Sequence, residues 1–583
     1  MEKVCLMAIC LVSLFLNTYG IGGGIPGKEH LKLLFSNEQE IQDLSQIMKE
    51  TRDEIYDKIK YHGDSIDIQE DYCDVVVEGK ETKMSKYLIS SIRSFLLRSY
   101  YPDEQVTLVS IGGMNPKKLD FNPHWFIYGG LYVHLVAISL KIASIFNLLT
   151  ISPDISYYFL HPEEMGKFFI VGRLVGALVG VLAVYIIYLL GSLLYNKNVG
   201  LIAALFLAIM PAVVVFSHYL KPYIFDLPFL LLAFYYAVKI LDSDKFSNYI
   251  FAGIFAGIAG GVLIVFGYVF LAILIAHLIK RISQHRKIIT IFSIFEKRIF
   301  LSVIAFIGAY LAVNPYILVS MNEAINEFKF LSRCSHFSLT LEHCFYYFRV
   351  SLATGLGWPL LIVITAGLAY SLYKRERKDI LLLSFIFPGY LYISATKYNF
   401  IHYGIWLLPF LILLGARVIG TGLEKGRLIR CVALIILLAI SAYTFTYSLA
   451  CDRLFAEEDI RTTCGKWMVA NIEKGASIGY IYQPTPFAAP LVNPFKYKIR
   501  WWEKDRWWGE KDLDTGLPQY FVWAENIHSL PEGLDIKSQY QEMKRFDKPP
   551  SIFGIKFKNE HEKDYPWSIL NPNIVIYKLK ERP

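Results

Sequence analysis

Charged residues are scarce in this 583-residue chain: they make up 19% of the sequence, against 54% for hydrophobic residues. Soluble domains contain about 25% charged residues and disperse their apolar ones. Here the apolar residues gather in runs of roughly 17–25 residues, long enough for a helix to cross a bilayer. The sequence therefore excludes a soluble enzyme, a disordered chain and a disulfide-stapled mini-domain. It predicts a polytopic α-helical membrane protein.

Several motifs of soluble function are also missing. The chain has no P-loop, no Rossmann glycine fingerprint, no His-Glu-x-x-His and no Cys-x-x-Cys. Its net charge of +8 comes from basic residues in short loops between apolar runs, which orient a chain in a membrane. No nucleic-acid partner is predicted, because no basic helix or RNA-binding signature is present. Cys334–Cys344 and Cys451–Cys464 are candidate disulfides, although unpaired thiols fit the sequence equally well.

The apolar runs predict about eleven transmembrane helices. We divide the long run 249–279 at Gly260-Gly261 into two short helices. The predicted spans are 4–19, 169–195, 199–217, 224–241, 249–262, 264–279, 299–319, 350–373, 379–396, 402–419 and 429–450.

The distribution of Lys and Arg orients these spans. If 124–149 lies in the membrane interface without crossing it, most loop Lys and Arg residues face the cytoplasm, as the positive-inside rule requires. The predicted regions are then a first transmembrane helix or signal peptide (1–20), a large extracytoplasmic loop (21–168), a transmembrane bundle (169–450) and a small extracytoplasmic α/β domain (451–583). In the last region we predict a helix near 460–471 and strands at 477–482 and 573–577.

Two acidic positions are candidates for catalysis. Asp103 and Glu104 follow Tyr101-Pro102 on the predicted outer face, where a carboxylate could take a proton from an acceptor hydroxyl. They would equally suit the first turn of a helix, which favours acidic residues. Asp226 opens a predicted span, where an ionisable residue indicates function. It could also cap that helix.

Cations at the predicted outer ends of the spans form a second candidate group. If their side chains converge, they could bind a phosphate whose charge grows as a bond to it breaks. Taken singly, each could instead extend to lipid headgroups. The group comprises Arg173, Lys221, Arg349, Lys397 and His402.

These features together resemble a known family. A first helix, an outer loop with Asp103-Glu104, the interfacial Asn122-Pro123-His124-Trp125 and Arg173 on the next span are similar to the C-type glycosyltransferase fold. The chain specifically resembles glycosyltransferase family 39, which includes dolichyl-phosphate-mannose protein mannosyltransferases and bacterial aminoarabinose transferases. The resemblance covers about 100–450. It implies an integral protein of the plasma or inner membrane with its active site outside the cytoplasm.

The resemblance implies transfer of a sugar, mannose in many members, from a polyprenyl-phosphate carrier to an acceptor protein, lipid or glycan. It implies Asp103 as the base, with Glu104 and Asp226 as further acidic residues of the site. His218 lies just before Lys221, in the stretch that leads to Asp226. The family's Lys-Pro-Pro is Asn122-Pro123-His124 here, and its Arg-Tyr is His402-Tyr403. No cofactor is required, although a divalent metal could assist the phosphate.

Two other functional classes fit part of the pattern. A lipid-linked polysaccharide polymerase or ligase would share an outer-face site but would tolerate loss of Asp103. A transporter would place charges at the midplane and show pseudo-repeats. A non-catalytic membrane scaffold would not need these residues to converge. We expect glycosyl transfer and not transport, because the charged residues gather at one predicted surface. Phosphate is a good leaving group at neutral pH, so we expect a simple inverting displacement.

Overall fold

The computed structural model describes residues 2–62, 72–77, 80–284, 296–334, 337–396, 400–503, 506–509, 516–557 and 565–580. The part before the bundle is mostly helical with one antiparallel hairpin. Its elements are α1 (Glu2–Thr18), α2 (Lys28–Leu34), α3 (Glu38–His62), β1 (Tyr72–Val77), β2 (Lys80–Ser85), α4 (Lys86–Leu97), α5 (Glu104–Gly113), the 3₁₀ turn Pro116–Lys118, α6 (Gly130–Ile145) and α7 (Ser156–Leu160).

The bundle follows as a series of apolar helices joined by short turns. Its elements are α8 (Pro162–Leu194), α9 (Lys197–Ile209), α10 (Pro211–Ser217), α11 (Pro222–Asp242), α12 (Phe246–Val262), the 3₁₀ turn Ile264–Val269, α13 (Phe270–Gln284), α14 (Lys297–Val313), α15 (Tyr316–Val319), α16 (Met321–Cys334), α17 (Leu341–Tyr346), the π-helical turn Tyr347–Leu352, α18 (Ala353–Leu356), α19 (Trp358–Lys374), α20 (Arg377–Ser394), the 3₁₀ turn Ile401–Gly404, α21 (Leu408–Leu423) and α22 (Arg427–Ala456).

Local chemistry sets many of these boundaries. Proline occupies the first position of α8, α10 and α11, where its missing N–H costs no hydrogen bond. Pro211 also separates α9 from α10, and the two meet at a 50° bend. Glu376 and Asp379 form a reciprocal capping box that starts α20.

By length and composition, the described residues include four helices able to cross a membrane: α8, α11, residues 264–284 and α22. The number rises to six if each of two bent pairs counts as one span: α9 with α10, and residues 341–356 with α19. Eleven spans were predicted. Most of the others, α1, α12, α14 and α21, are apolar helices of only 16 or 17 residues.

The part after the bundle contains a mixed six-stranded sheet in the order β5-β4-β3-β6-β10-β7. Strand β3 is parallel to β4 and β6, whereas β10 is antiparallel to β6 and β7. The predicted helix coincides with α23, and the two predicted strands correspond to β3 and β10. The elements are α23 (Ile460–Asn471), β3 (Ser477–Tyr480), β4 (Lys498–Glu503), β5 (Arg506–Gly509), β6 (Tyr520–Ala524), α24 (Ile536–Gln539), β7 (Tyr540–Phe546), β8 (Ser551–Ile552), β9 (Ile555–Lys556), α25 (Tyr565–Leu570) and β10 (Ile574–Leu579).

The regions before and after the bundle share one hydrophobic core. Ile92 and Phe95 of α4 belong to the same buried cluster as Cys464, Trp501 and Ile576 of the C-terminal sheet region. The sequence predicted a loop and a separate domain. The structure instead joins two segments more than 350 residues apart in one folded unit, because α4 supplies apolar surface that the sheet needs to bury.

The two candidate disulfides have different outcomes. Cys451 and Cys464 are both buried and both free, so this predicted pair is wrong. Cys344 is also free, and the side chain of Cys334 lies outside the described residues.

Candidate functional site

Asp103 occupies the N-cap position of α5 but does not cap the helix. Its side chain makes no hydrogen bond to the first-turn amides. The carboxylate Oδ2 instead lies 2.8 Å from Nζ of Lys221, and about 45% of the Asp103 side chain is exposed. The two acidic residues do lie at the start of a helix, as the alternative explanation predicted, with Glu104 in the first turn. One oxygen meets a buried lysine, and the side chain remains reachable from solvent.

Lys221 is buried in the short turn between α10 and α11. Its Nζ donates to Asp103 and to the hydroxyl of Tyr128. Rings of Tyr101, Tyr128 and Tyr223 lie 5.8, 4.7 and 5.7 Å from Nζ, within the range of cation–π attraction. An ammonium group has three N–H donors, so two named acceptors leave one for a further partner.

His402 and Tyr403 complete one side of this group. The His402 ring lies 5.5 Å from Tyr223 and 4.3 Å from Tyr403, measured between ring centroids. Its Nδ1 is buried with no hydrogen-bond partner among the described residues. We call Asp103, Tyr128, Lys221, His402 and Tyr403 the Asp103 pocket.

The charges of the pocket differ from the predicted cation cluster. Burial raises the pKa of Asp103, but the charge and hydrogen bond of Lys221 outweigh this and hold the pKa below its ordinary value. His402 is buried against the rings of Phe216, Tyr223 and Tyr403 and forms no ion pair with a described carboxylate. The pocket contains one carboxylate and one ammonium group.

Glu104 points away from Asp103 and forms a buried bidentate pair with Arg173. Arg173 Nε and Nη2 lie 2.8 and 2.7 Å from the two carboxylate oxygens. Glu104 also accepts hydrogen bonds from Ser99 Oγ at 2.5 Å and from the Leu220 amide at 2.6 Å. Arg173 Nη1 donates to the carbonyls of Ile21 and Gly23. This pair fixes the backbone beside Lys221, and four of the five N–H donors of Arg173 already have partners.

The other predicted site residues lie outside the Asp103 pocket or outside the described residues. His218 is buried with its ring nitrogens 2.8 and 2.9 Å from the carbonyl oxygens of Val214 and Tyr19. His124 Nδ1 lies within hydrogen-bond distance of a carboxylate oxygen of Glu323, at 2.9 Å. Lys397 lies outside the described residues.

Asp226 lies one turn into α11 and is fully buried. Both of its carboxylate oxygens lack a hydrogen-bond partner among the described residues. Arg349, in the π-helical turn, is exposed. Neither residue is among the contacts that the structure gives Lys221.

Sequence reasoning missed the role of the tyrosines. Neither Tyr128 nor Tyr223 is among the site residues predicted from the sequence. Tyr128 reaches the lysine across 93 residues of sequence. No spacing rule predicts such a contact, although an amphipathic Tyr beside a conspicuous Lys-Pro turn is a chemical hint.

A divalent metal does not fit the described residues well. No group of three or more His, Cys, Asp or Glu side chains within them could hold an ion. Magnesium and similar ions need several oxygen ligands. The Asp103 pocket offers one carboxylate, already paired with an ammonium group.

Gly129, next to Tyr128, packs closely against the backbone at the end of α12. A Cβ at this position would lie 1.8 Å from the carbonyl oxygen of Gly261, whose backbone cannot yield easily. We predict that Gly129→Ala destabilises the protein by about 3 kcal/mol, near the upper end for overpacking, and lowers Lys221-dependent activity. Thermal unfolding of purified protein measures this. Gly112→Ala is the control, because a Cβ there meets nothing within 4 Å; equal melting temperatures for the two variants would contradict the prediction.

Comparison with known proteins adds a sequence match over the first part of the bundle. Residues 165–311 match the sequence model of the dolichyl-phosphate-mannose-protein mannosyltransferase family. The chain resembles this family. The matched segment runs from α8 to α14 and includes Lys221 and Asp226, whereas Asp103 lies before it. The match to the mannosyltransferase family therefore includes Lys221 but not Asp103.

Solved structures with a similar chain path come from bacteria and archaea. ArnT from Cupriavidus metallidurans, bound to undecaprenyl phosphate, is 10% identical over 80% of this chain and 72% of its own, with a TM-score of 0.44. The Archaeoglobus fulgidus oligosaccharyltransferase tethered to an acceptor peptide is 13% identical over 85% of this chain, with a TM-score of 0.43.

The same archaeal enzyme, AglB, with an inhibitory peptide and dolichol-phosphate, is 14% identical over 68% of this chain, with a TM-score of 0.39. This chain spans 64% and 60% of the two archaeal chains, which is less than two thirds of their length. A search among curated proteins gave no sequence match.

Proposed function

We propose that this protein is an inverting glycosyltransferase that moves a sugar from a polyprenyl-phosphate carrier to an acceptor hydroxyl. The observation that carries the proposal is the Asp103–Lys221 pair: a half-exposed carboxylate held 2.8 Å from a buried ammonium group. One group suits proton removal from an acceptor, and the other suits a phosphate leaving group. The match to the mannosyltransferase family supports the same chemistry.

In the proposed reaction, Asp103 takes the proton of the acceptor hydroxyl through Oδ1, the oxygen that does not face Lys221. The acceptor oxygen forms a bond to the anomeric carbon while the bond from that carbon to the phosphate oxygen breaks. The electron pair of that bond leaves with the polyprenyl phosphate. Attack opposite the leaving group inverts the anomeric configuration.

Lys221 and His402 have proposed roles on the leaving side. The third N–H of Lys221 donates to a phosphate oxygen, and the ring of His402 can donate to another. A phosphate is a good leaving group at neutral pH, so the reaction needs no general acid comparable to that of a glycoside hydrolase. Glu104 and Arg173 act as positioning residues, because they hold the amide of Leu220 next to Lys221.

The proposed membrane arrangement places the Asp103 pocket outside the cytoplasm, with eleven crossings. Successive bundle helices run alternately toward and away from the pocket, beginning with α1, whose Glu2 meets Lys197 at the far end. The far end would then carry most loop Lys and Arg residues, which agrees with the positive-inside rule. In this arrangement α6, with 16 residues, lies in the interface and does not cross.

Reconstitution tests the function directly. The purified protein is placed in liposomes with polyprenyl-phosphate-linked radioactive mannose, glucose or aminoarabinose and a membrane extract as acceptor source. We expect one donor to be consumed, with label appearing in the protein, lipid or polysaccharide fraction. The product's anomeric configuration tests inversion. No consumption across the donor panel by folded protein would overturn the proposal.

The pH dependence of transfer tests the link between Asp103 and Lys221. Asp103 must be deprotonated to act, and Lys221 lowers its pKa. Activity should thus persist at pH values below the ordinary pKa of an aspartate, about 3.9. In Lys221→Met the lysine no longer lowers the pKa of Asp103, whereas burial still raises it. The pKa of Asp103 therefore rises, and the acid limb of the pH profile of kcat/KM moves to higher pH. Lys118→Met, an exposed lysine, should leave the limb in place; an unmoved limb in both variants would contradict the coupling.

A further inference from the structure

A polar groove lies at the end of the bundle opposite the Asp103 pocket. Twenty-one residues of α8 separate Arg173 from Leu194, and twenty residues of α11 separate Lys221 from Leu241; each corresponds to about 30 Å of helix. Leu194 and Leu241 both line the groove. The distance equals the thickness of a bilayer's hydrocarbon core. If the pocket lies at one membrane surface, the groove lies at the headgroup level of the other.

The groove has a volume of about 570 Å³ and opens to solvent. It is formed by the ends of α8, α11 and α21 and by the turn between α19 and α20. Four of its side chains are basic and two are acidic. The basic ones are Lys374, Arg377, Lys378 and Arg417, and the acidic ones are Asp242 and Glu376.

Arg417 forms the rigid floor of the groove. It is buried, forms ion pairs with Asp379 and Glu376, and lies over the rings of Tyr195 and Tyr370 at 4.5 and 5.1 Å. The Tyr195 hydroxyl donates to Asp379 at 2.9 Å. These partners already match the charge of Arg417, so Arg417 is not available to a ligand. The network instead fixes the surrounding helix ends.

The basic side chains at the rim are placed differently. Lys374 and Arg377 are exposed, and neither has a salt bridge to a described carboxylate. Lys378 donates one hydrogen bond to the carbonyl of Leu193 at 2.7 Å, which leaves two of its N–H donors. Asp242, an exposed carboxylate, also lines the groove, but these three residues outnumber it, so the rim presents an excess of positive charge to whatever enters.

Exposed apolar side chains border this rim. Leu372 and Tyr373 on α19 and Ile380 on α20 are 42%, 79% and 42% exposed. In a bilayer they would face acyl chains, immediately beside the basic residues of the rim. Basic pockets between transmembrane helices at a membrane surface bind anionic headgroups. A ligand with a phosphate group and attached acyl chains fits both surfaces together.

We propose that this groove binds the phosphate headgroup of an anionic phospholipid through Lys374, Arg377 and Lys378. The headgroup contacts the α19–α20 turn and the ends of α8 and α11, and its acyl chains lie along Leu372 and Ile380. Such a lipid would hold together helix ends that are distant in sequence. This inference does not depend on glycosyl transfer.

The experiment measures lipid binding by the full-length protein. Protein purified in detergent is titrated with phosphatidylglycerol or, as the zwitterionic comparison, phosphatidylcholine, and binding is followed by native mass spectrometry and by the melting temperature. We expect phosphatidylglycerol alone to bind tightly and to raise the melting temperature. Lys374→Ala/Arg377→Ala should weaken phosphatidylglycerol binding roughly 30-fold, since each basic residue near a membrane surface contributes about a factor of five.

The matched control is Lys425→Ala/Arg427→Ala, which removes the same charge from the neighbouring α21–α22 turn, outside the groove. This variant should bind phosphatidylglycerol like the unmodified protein. Equally weakened phosphatidylglycerol binding in both double variants, or equal binding of the two lipids, would overturn the proposed site. Inorganic phosphate at millimolar concentration should not displace the lipid. Displacement would assign the groove to a soluble phosphate group and overturn the lipid proposal.

Discussion

Asp103→Asn is expected to reduce sugar transfer by about 10²- to 10⁴-fold while leaving the protein folded, because a general base typically contributes this much to a rate. Asparagine keeps the size of the side chain and retains an oxygen that can accept from Lys221. It lacks the negative charge and the basicity needed to take a proton from an acceptor hydroxyl. The loss should therefore appear in kcat, measured as carrier phosphate released per unit time with saturating donor.

The control for this variant is Asp154→Asn. Asp154 is also an aspartate paired with a lysine, Lys49 at 3.1 Å, but 54% of its side chain is exposed and it lies outside the pocket. It should retain full activity. Unchanged transfer by Asp103→Asn would move the base elsewhere and favour the polymerase or ligase alternative, which tolerates this change. Asp226→Asn, measured in parallel, shows whether the buried carboxylate contributes to the reaction.

The sequence alone predicted several residues of the Asp103 pocket, but not which of them contact one another. Asp103 and Lys221 were both candidates, since acidic and basic residues at the ends of apolar runs are conspicuous. Their contact spans 118 residues and could not be read from spacing. His402 was predicted as a cation, whereas its surroundings of aromatic rings remove the water that a charged imidazole needs.

The fold shows the same division between local and distant information. Helix α23 and strands β3 and β10 follow from local hydrophobic patterns and lie where predicted. Within the segment 124–149, which was predicted to lie in the interface, the helix begins at Gly130; His124 has a positive φ of 49°, which an α-helix does not contain. The core shared by α4 and the C-terminal sheet was not predicted. An amphipathic pattern shows that a segment has an apolar face, but not which other segment packs against that face.

Breaking the pair of Glu104 and Arg173 is expected to destabilise the protein by about 3–5 kcal/mol, the usual cost of leaving one buried charge unmatched. In Glu104→Gln, Arg173 stays buried and positive beside a neutral amide. Leu220 donates to one carboxylate oxygen and Ser99 to the other, so the amide nitrogen of glutamine, which cannot accept, also loses one of these hydrogen bonds. Thermal unfolding in detergent and the yield of monodisperse protein measure the loss.

A double variant separates structure from catalysis. Glu104→Gln/Arg173→Met removes both charges, so it should recover part of the stability lost in either single variant. The control Glu29→Gln breaks a pair with Lys32 in which both side chains are more than half exposed, and should change stability by less than about 1 kcal/mol.

The alternative role of Glu104 as a catalytic base predicts the opposite pattern. Glu104→Gln would then fold normally and transfer no sugar, and the double variant would recover nothing. If Glu104 is a positioning residue, the fraction of Glu104→Gln protein that folds should retain activity. Any loss of activity per folded molecule would then reflect movement of Leu220 and hence of Lys221. Activity per folded molecule, measured alongside the melting temperature, therefore distinguishes a carboxylate that holds the site from one that performs its chemistry.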